Sequence, residues 1–223
     1  MVSSDGSSEM LSARGLSEKA LGIENQSFKI IDDEIGEHTY SPTEWSIVRR
    51  VIHATADFDF ARSAKIIFQN EALSSGFDAI RQGCTVVCDV DMVLSALNKK
   101  SLTRLGLDAV CHISDEKLVE MSRNSNKTRS QLAMRIASKE MDGGIILIGN
   151  APTALFETIK MINEGATKPS LVVGLPVGFV SAVESKQALS QTAIPHITNK
   201  GRKGGSPATS SVMNALMLLA QNY

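Results

Sequence analysis

The sequence predicts an α/β fold, a single domain in which a mainly parallel sheet of about five strands carries helices on both faces, as in Rossmann-like proteins. The four consecutive apolar residues from Ile145 to Ile148 do not alternate with polar ones, which is typical of a central strand covered on both faces. Short apolar segments alternate with helical segments of roughly ten residues or more, and this spacing favours parallel pairing through right-handed crossovers. Turns rich in glycine and proline follow three of these strands.

Composition limits the classes of protein to which the chain can belong. Its 223 residues are 43% hydrophobic, which is enough for one substantial core. A net charge of -1 and an aromatic content of 4% argue against a nucleic-acid partner or a membrane-surface partner. The apolar runs fall short of the ~20 residues that a membrane-spanning helix needs. The three cysteines Cys84, Cys88 and Cys111 favour buried thiols over disulfides or metal ligands, so we expect a cytoplasmic protein with no metal site.

The N-terminal residues 1–22 differ in composition from the rest of the chain. They are rich in serine and glycine, include acidic residues and contain no apolar segment of the kind found in a secretory signal. We expect a flexible N-terminal extension over residues 1–22 and the α/β domain over residues 23–223.

The first strongly predicted element is a helix over residues 42–55. Ser41 is expected to cap it, Pro42 fits its first turn, and Glu44 stands where its side chain can bond to the amide of Ser41. Its apolar positions recur at helical spacing and predict a core-facing stripe: Trp45, Val48 and Ile52.

The remaining elements follow from apolar periodicity and from turn residues. Helices are predicted at residues 63–70, 73–82, 92–99, 114–124, 128–141, 152–164, 180–190 and 207–221. Strands are predicted at residues 84–90, 109–113, 145–148, 171–173 and 194–198. Pro152 is expected in the first turn of its helix, where a missing amide hydrogen costs nothing.

Three turns stand at the carboxyl ends of predicted strands, at residues 149–153, 174–179 and 199–207. In open parallel sheets ligands bind beyond this edge, where glycine-rich turns present backbone amides. Neither the Walker pattern nor the dinucleotide pattern of glycines is present, which weakens the interpretation as a nucleotide-binding module. The cations of residues 127–130 and 201–206 indicate either anion contacts or solvated turns.

His53 lies near the end of the predicted helix, on the same side as Ser46, Arg49 and Arg50. One interpretation is a surface imidazole favoured by the helix C-terminal dipole. The other is a general acid whose neighbouring cations recruit an anionic ligand. Spacing alone leaves both open.

Six short segments together carry a family resemblance. They are Val-Ile-His-Ala (51–54), Thr-Arg-Ser (128–130), Gly-Asn-Ala-Pro-Thr-Ala-Leu (149–155), Gly-Leu-Pro-Val-Gly-Phe-Val (174–180), Glu-Ser-Lys (184–186) and Gly-Gly-Ser (204–206). In this order and spacing, the sequence from about Ser27 to the last helix closely resembles the precorrin-8X methylmutase family, including the cobalt-precorrin-8 methylmutases of corrinoid biosynthesis. Lys127 departs from the family pattern, which has asparagine there, so local contacts are expected to differ.

The resemblance implies an isomerase, an intramolecular methyl transferase that moves a methyl group from C-11 to C-12 of a tetrapyrrole and yields hydrogenobyrinate or cobyrinate. It implies no external cofactor and a homodimer, and the position that matches the family's acid is His53. A tetrapyrrole-binding or carrier protein without turnover is the alternative, although such a protein would not need an ionisable side chain at residue 53.

The implied substrate is a wide apolar disc fringed by carboxylates, so its site is expected to be apolar in the middle and rich in hydrogen-bond donors at the rim. Arginines are expected to bind the carboxylates, with hydroxyls, an amide and glycine amides beside them. The expected substrate-binding residues are Ser27, Arg50, Thr128, Arg129, Ser130, Asn150, Thr153, Gly178, Arg202, Gly204 and Gly205.

Overall fold

The computed structural model describes residues 18–221, in which six strands form one sheet. The strands are β1 (Ile66–Gln69), β2 (Thr85–Cys88), β3 (Asp108–Val110), β4 (Ile145–Ile148), β5 (Leu171–Gly174) and β6 (His196–Asn199). The helices are α1 (Glu18–Ile35), α2 (Pro42–Thr55), α3 (Ala72–Arg81), α4 (Asp91–Ser95), α5 (Lys99–Leu105), α6 (Glu116–Arg123), α7 (Arg129–Ile136), α8 (Pro152–Asn163), α9 (Ala182–Ser190) and α10 (Ser206–Leu219). Short 3-10 helices occur at Phe58–Ala61 and Ala137–Lys139.

The sheet has the strand order β1-β6-β5-β4-β2-β3, and only the pair of β1 with β6 is antiparallel. Strand β4 is central and buried at all four positions. Ile145 and Leu147 face a core shared with α1, α2, α3 and α10, whereas Ile146 and Ile148 face a second core under α7, α8 and α9. The predicted α/β class, with helices on both faces of a mainly parallel sheet, is therefore confirmed.

Helix α2 has the predicted bounds and the predicted start. The Ser41 hydroxyl accepts a hydrogen bond from the amide of Glu44 at 3.3 Å, and the Glu44 carboxylate accepts one from the amide of Ser41 at 2.8 Å. Val48 and Ile52 are buried, and α2 packs along α10. This packing fixes the axis of α2 and therefore the position of the residues near its C-terminal end.

The prediction for residues 63–70 was wrong, because Ile66–Gln69 is a strand and not part of a helix. Strand β1 pairs with β6 from Ile66 opposite Asn199 to Gln69 opposite His196, and this pairing raises the number of strands from five to six. A short apolar run such as Ile66-Ile67-Phe68 suits either a helix or a strand, and the free edge of β6 decides between them.

Two other predicted bounds also differ from the structure. The single helix expected at residues 92–99 is replaced by α4 and α5, since Asn98 caps a new helix through its side chain. Helix α1 begins at Glu18, so it takes up residues 18–22 of the segment expected to be an extension, whose other residues, 1–17, lie outside the described part. None of the helices within residues 18–221 combines the length and the apolar character that crossing a bilayer requires.

We predict that Ser41→Ala lowers the free energy of unfolding by about 1 kcal/mol, because the amide of Glu44 loses the hydroxyl oxygen that caps it. Urea denaturation followed by circular dichroism measures the change. Ser46→Ala is the matched control, since the hydroxyl of Ser46 only donates to the carbonyl of Pro42 inside the helix. Equal effects of the two substitutions would contradict a special role of the cap.

Candidate active site

The turn after β4 is held by one buried carboxylate, that of Asp89, which follows β2. Its oxygens accept hydrogen bonds from the amides of Gly149, Asn150 and Ala151 at 3.0, 2.8 and 2.8 Å. Burial raises the pKa of Asp89 while the three amides oppose the rise. These amides precede α8, where an anionic ligand would otherwise bind, so the protein's own carboxylate fills the position that a phosphate takes in nucleotide-binding folds.

The turns after β5 and β6 are joined to each other by backbone hydrogen bonds. The amide of Gly178 donates to the carbonyl of Arg202 at 3.1 Å, and the amide of Gly205 donates to the carbonyl of Leu175 at 2.8 Å. At Gly204 the backbone has φ +157°, and an added Cβ would lie 2.2 Å from the Leu175 oxygen. Only glycine fits at this position. The two hydrogen bonds hold the turns after β5 and β6 against each other.

Lys186 of α9 binds the third turn, residues 199–207, through its ammonium group. Its side chain is 2% exposed, and its ammonium donates to the side-chain oxygen of Asn199 at 3.1 Å and to the carbonyl of Lys203 at 2.7 Å. Burial lowers the pKa of Lys186 to about 8. The Asn199 amide also donates to the carbonyls of Lys200 and Lys203, which closes the turn into a defined loop.

The end of α2 lies at this same edge of the sheet. Lys203 forms ion pairs with Asp57 at 2.8 Å and with Asp59 at 2.7 Å, just after the last turn of α2. The hydrogen bonds that its ammonium donates to these two carboxylates raise the pKa of Lys203. His53 is exposed in the last turn of α2 and precedes Asp57 by four residues.

Helix α1 contacts His53 through the ring of Phe28. The ring of Phe28 meets the His53 ring edge-on with centroids 5.3 Å apart, and the Arg50 guanidinium lies 5.0 Å from the Phe28 centroid. Arg50 also forms an ion pair with Glu24 at 3.1 Å. Ser27, next to Phe28, is half-buried and donates its hydroxyl hydrogen to the carbonyl of Ile23.

Thr128 and Thr153, two predicted residues at the N-terminal ends of α7 and α8, lie next to each other. Thr128 caps α7, and its hydroxyl lies 3.2 Å from that of Thr153 in the first turn of α8. Below them Glu157, 2% exposed, binds Lys127 at 2.8 Å and also pairs with Arg135. Burial alone would raise the pKa of Glu157, but Lys127 and Arg135 outweigh it and hold that pKa below its usual value.

The predicted residues lie on three parts of the fold. The first lies on α1 and α2 (Ser27, Arg50 and His53), the second around the starts of α7 and α8 (Thr128, Arg129, Ser130, Asn150 and Thr153), and the third on the joined turns (Gly178, Arg202, Gly204 and Gly205). Arg129, Arg202 and Asn150 are exposed. The lysines beside them, Lys127 and Lys203, bind carboxylates of the protein, and this pairing favours a structural role over the anion contact considered for them.

The cysteines lie in or near the core. Cys84 and Cys88 are buried, and burial raises the pKa of the Cys84 thiol to about 11. His112 pairs with Asp115 at 3.0 Å and Glu140 at 3.1 Å. Within residues 18–221 no group of three or more histidine, cysteine or acidic side chains is arranged to hold a metal ion.

Similarity to known proteins identifies the family of this chain. The sequence profile described as precorrin-8X methylmutase matches residues 22–219. The chain belongs to the precorrin-8X methylmutase family. It is 48% identical over 200 residues to a cobalt-precorrin-8 methylmutase of Priestia megaterium, an alignment that covers 90% of this chain and 88% of that protein.

A second relative and a solved structure agree with this membership. A cobalt-precorrin-8 methylmutase of Leptospira interrogans is 46% identical over 206 residues, with 89% of this chain and 93% of that protein covered. The crystal structure of a precorrin-8x methyl mutase from Thermus thermophilus superposes with a TM-score of 0.83 at 38% identity, covering 90% of this chain and 96% of that one. The precorrin-8X methylmutase fold is thus shown by sequence and by structure.

Sequence reasoning did not identify two residues, Asp89 and Lys186, that hold the turns after β4 and β6 in this methylmutase-family protein. Asp89 directly follows a buried strand, a position that would have marked it by the same logic as the three turns. Lys186 was noted only as part of a motif, and its partners Asn199 and Lys203 lie too far along the chain for spacing to reveal.

We predict that Asp89→Asn lowers the free energy of unfolding by about 1–3 kcal/mol, since an amide supplies one acceptor oxygen where two now serve three buried amides. Urea denaturation measures the loss. Asp108→Asn, a change at an exposed strand position, is the control and is expected to have little effect. A stable Asp89→Asn protein would show that the amides of this turn do not depend on the carboxylate.

Glu157 gives a prediction for pH. Since its folded pKa lies below the ordinary 4.5, its contribution to stability is complete above pH 4.5 and is lost as pH falls through the folded pKa. Glu157→Gln is therefore expected to be about 1–2 kcal/mol less stable at pH 7, with the difference shrinking below about pH 4.5. Thermal unfolding across this range tests it against Glu120→Gln, an exposed control. A difference that did not vary with pH would contradict the ion-pair account.

Proposed function

We propose that this methylmutase-family protein is an isomerase of cobalamin biosynthesis that moves a methyl group from C-11 to C-12 of precorrin-8 or cobalt-precorrin-8, with His53 as general acid. The methyl group migrates within one molecule, so the product, hydrogenobyrinate or cobyrinate, is an isomer of the substrate. The observation that carries the proposal is the exposed imidazole of His53 in the last turn of α2, a helix whose end is joined to the third turn by the ion pairs of Lys203.

The methyl shift requires the protein to supply one proton and to hold the substrate ring in a fixed position. An imidazole exchanges protons near neutral pH, so it can protonate the conjugated ring near the migrating methyl group and recover the proton afterwards. The edge-on contact with Phe28 restricts the orientation of the His53 ring. Acid help of this kind is typically worth about 10² to 10⁴ in rate, and the rest comes from holding the ring in a reactive shape.

The substrate's carboxylates are proposed to bind at the rim of this edge. Arg129 and Arg202 are exposed and carry a planar fork that matches a carboxylate. Arg50 has Glu24 as a partner, so we propose that its guanidinium orients Phe28 and His53 as well as meeting the substrate. The hydroxyls of Ser27, Thr128, Ser130 and Thr153, the amide of Asn150 and the Gly178, Gly204 and Gly205 backbone supply the remaining polar contacts.

The expected homodimer and the cytoplasmic location belong to this proposal. His53 is exposed in the single chain, and desolvation of the bound ring would be more complete if a second subunit covered it. The relatives from Priestia megaterium and Leptospira interrogans are both named cobalt-precorrin-8 methylmutases, and we propose the cobalt-containing ring as the physiological substrate.

We predict that His53→Ala lowers kcat by about 10²- to 10⁴-fold while the dissociation constant for the product changes little. The corrinoid absorbance spectrum reports both quantities. His38→Ala is the matched control, because that imidazole stacks on Trp45 near the other end of α2. Full activity of His53→Ala would refute the acid role, and a wild-type protein that binds the ring without converting it would favour the carrier alternative.

Metal preference is tested with the wild-type protein. Metal-free and cobalt-loaded substrate are incubated in parallel, and faster conversion of the cobalt form is expected. Faster conversion of the metal-free ring would contradict the cobalt proposal and leave the isomerase proposal intact.

A further inference from the structure

Three apolar side chains are exposed together on the turn between β5 and α9. Phe179 is 87% exposed, Val180 82% and Val177 44%. Other large exposed apolar residues, such as Met92 and Ile23, stand apart on different elements. Since scattered apolar residues are normal on a surface whereas contiguous ones mark binding sites, this apolar turn surface, Val177 with Phe179 and Val180, calls for a ligand.

The backbone holds these side chains outward. The amide of Gly178 is bonded to the carbonyl of Arg202, and a Cβ at Gly205 would lie 3.7 Å from Val177, so the third turn packs directly behind the second. Ser181 takes a left-handed conformation with φ 64° just before α9 begins. The turn is thus held at Gly178 and enters α9 through a tight bend at Ser181, with Phe179 exposed between them.

A cation borders the apolar turn surface. The guanidinium carbon of Arg202 lies 5.6 Å from the centroid of the Phe179 ring. Because Arg202 is itself exposed, its fork stays available to a carboxylate at the margin of the ring. An aromatic face edged by a guanidinium complements a flat apolar molecule with carboxylates on its circumference.

The apolar turn surface also lies within the proposed site. Arg202 is adjacent to Lys203, which binds Asp57 and Asp59 at the end of α2, the helix that carries His53. The two turns and the end of α2 are therefore in contact with one another.

We infer that Phe179, with Val177 and Val180, is a substrate-binding platform that contacts one face of the tetrapyrrole ring while Arg202 binds a carboxylate at its edge. This inference rests on the proposed function and adds to it a set of apolar contact residues. It commits the exposed surface to the substrate. A second copy of the chain, the other apolar partner to be considered, is an outcome of the test.

The test compares Phe179→Ala, Phe179→Tyr and the control Ile136→Ala, an exposed apolar residue at the C-terminal end of α7. Titration with hydrogenobyrinate, followed by its absorbance, gives the dissociation constant, and turnover assays give KM and kcat. Loss of a large aromatic contact is expected to raise the dissociation constant and KM of Phe179→Ala by about tenfold or more, with a smaller effect on kcat. Phe179→Tyr is expected to retain affinity, and Ile136→Ala to behave as wild type.

Sedimentation of each variant at the assay concentration separates substrate binding from subunit association. A Phe179→Ala protein that keeps the wild-type oligomeric state and loses affinity supports the platform. Unchanged affinity overturns it, as does a loss of affinity that follows a shift in oligomeric state and disappears at high protein concentration. If wild type itself neither binds nor converts the ring, the proposed function fails and the platform fails with it, whereas a defect-free Phe179→Ala beside an active wild type overturns the platform alone.

Discussion

The buried carboxylate of Asp89 is the constraint on which the geometry of this site depends. Its removal from water is costly unless hydrogen bonds replace the lost hydration, and the three amides after β4 supply them. The same three bonds set the course of the chain into α8 and therefore the positions of Asn150 and Thr153. A strand end on β2 thus determines how a turn on β4 faces the ligand, because adjacent parallel strands bring their carboxyl ends to one edge.

Charge is used in two distinct ways along that edge. The lysines at residues 127, 186 and 203 bind groups of the protein itself and fix the turns that carry the site. The arginines at residues 129 and 202 are exposed, and an arginine fork recognises a carboxylate with a defined orientation where an ammonium acts as a point charge. Rigid turns with arginines on their outer side suit a large, flat substrate whose charges lie only on its rim.

The role proposed for His53 rests on its tertiary contacts and not on its position in the helix alone. On helix α2 it occupies a position where an exposed imidazole needs no function, and the helix dipole would be explanation enough. The contacts that distinguish it come from Phe28 on α1 and from the ion pairs that tie the end of α2 to the third turn. The first contact restricts the orientation of the imidazole, and the ion pairs fix the end of the helix that carries it.

The sequence by itself determined the features that depend on neighbours along the chain: the uniformly apolar β4, the capping box of α2 and the order of motifs that indicated the family. Only the tertiary structure decided that Ile66–Gln69 is an edge strand, that Lys127 and Lys203 are paired inside the protein, and that Asp89 and Lys186 shape the turns. The physical reason is distance along the chain. Local propensity and spacing carry no information about partners such as Asp89 and Gly149, which are 60 residues apart in sequence and meet only when the sheet has formed.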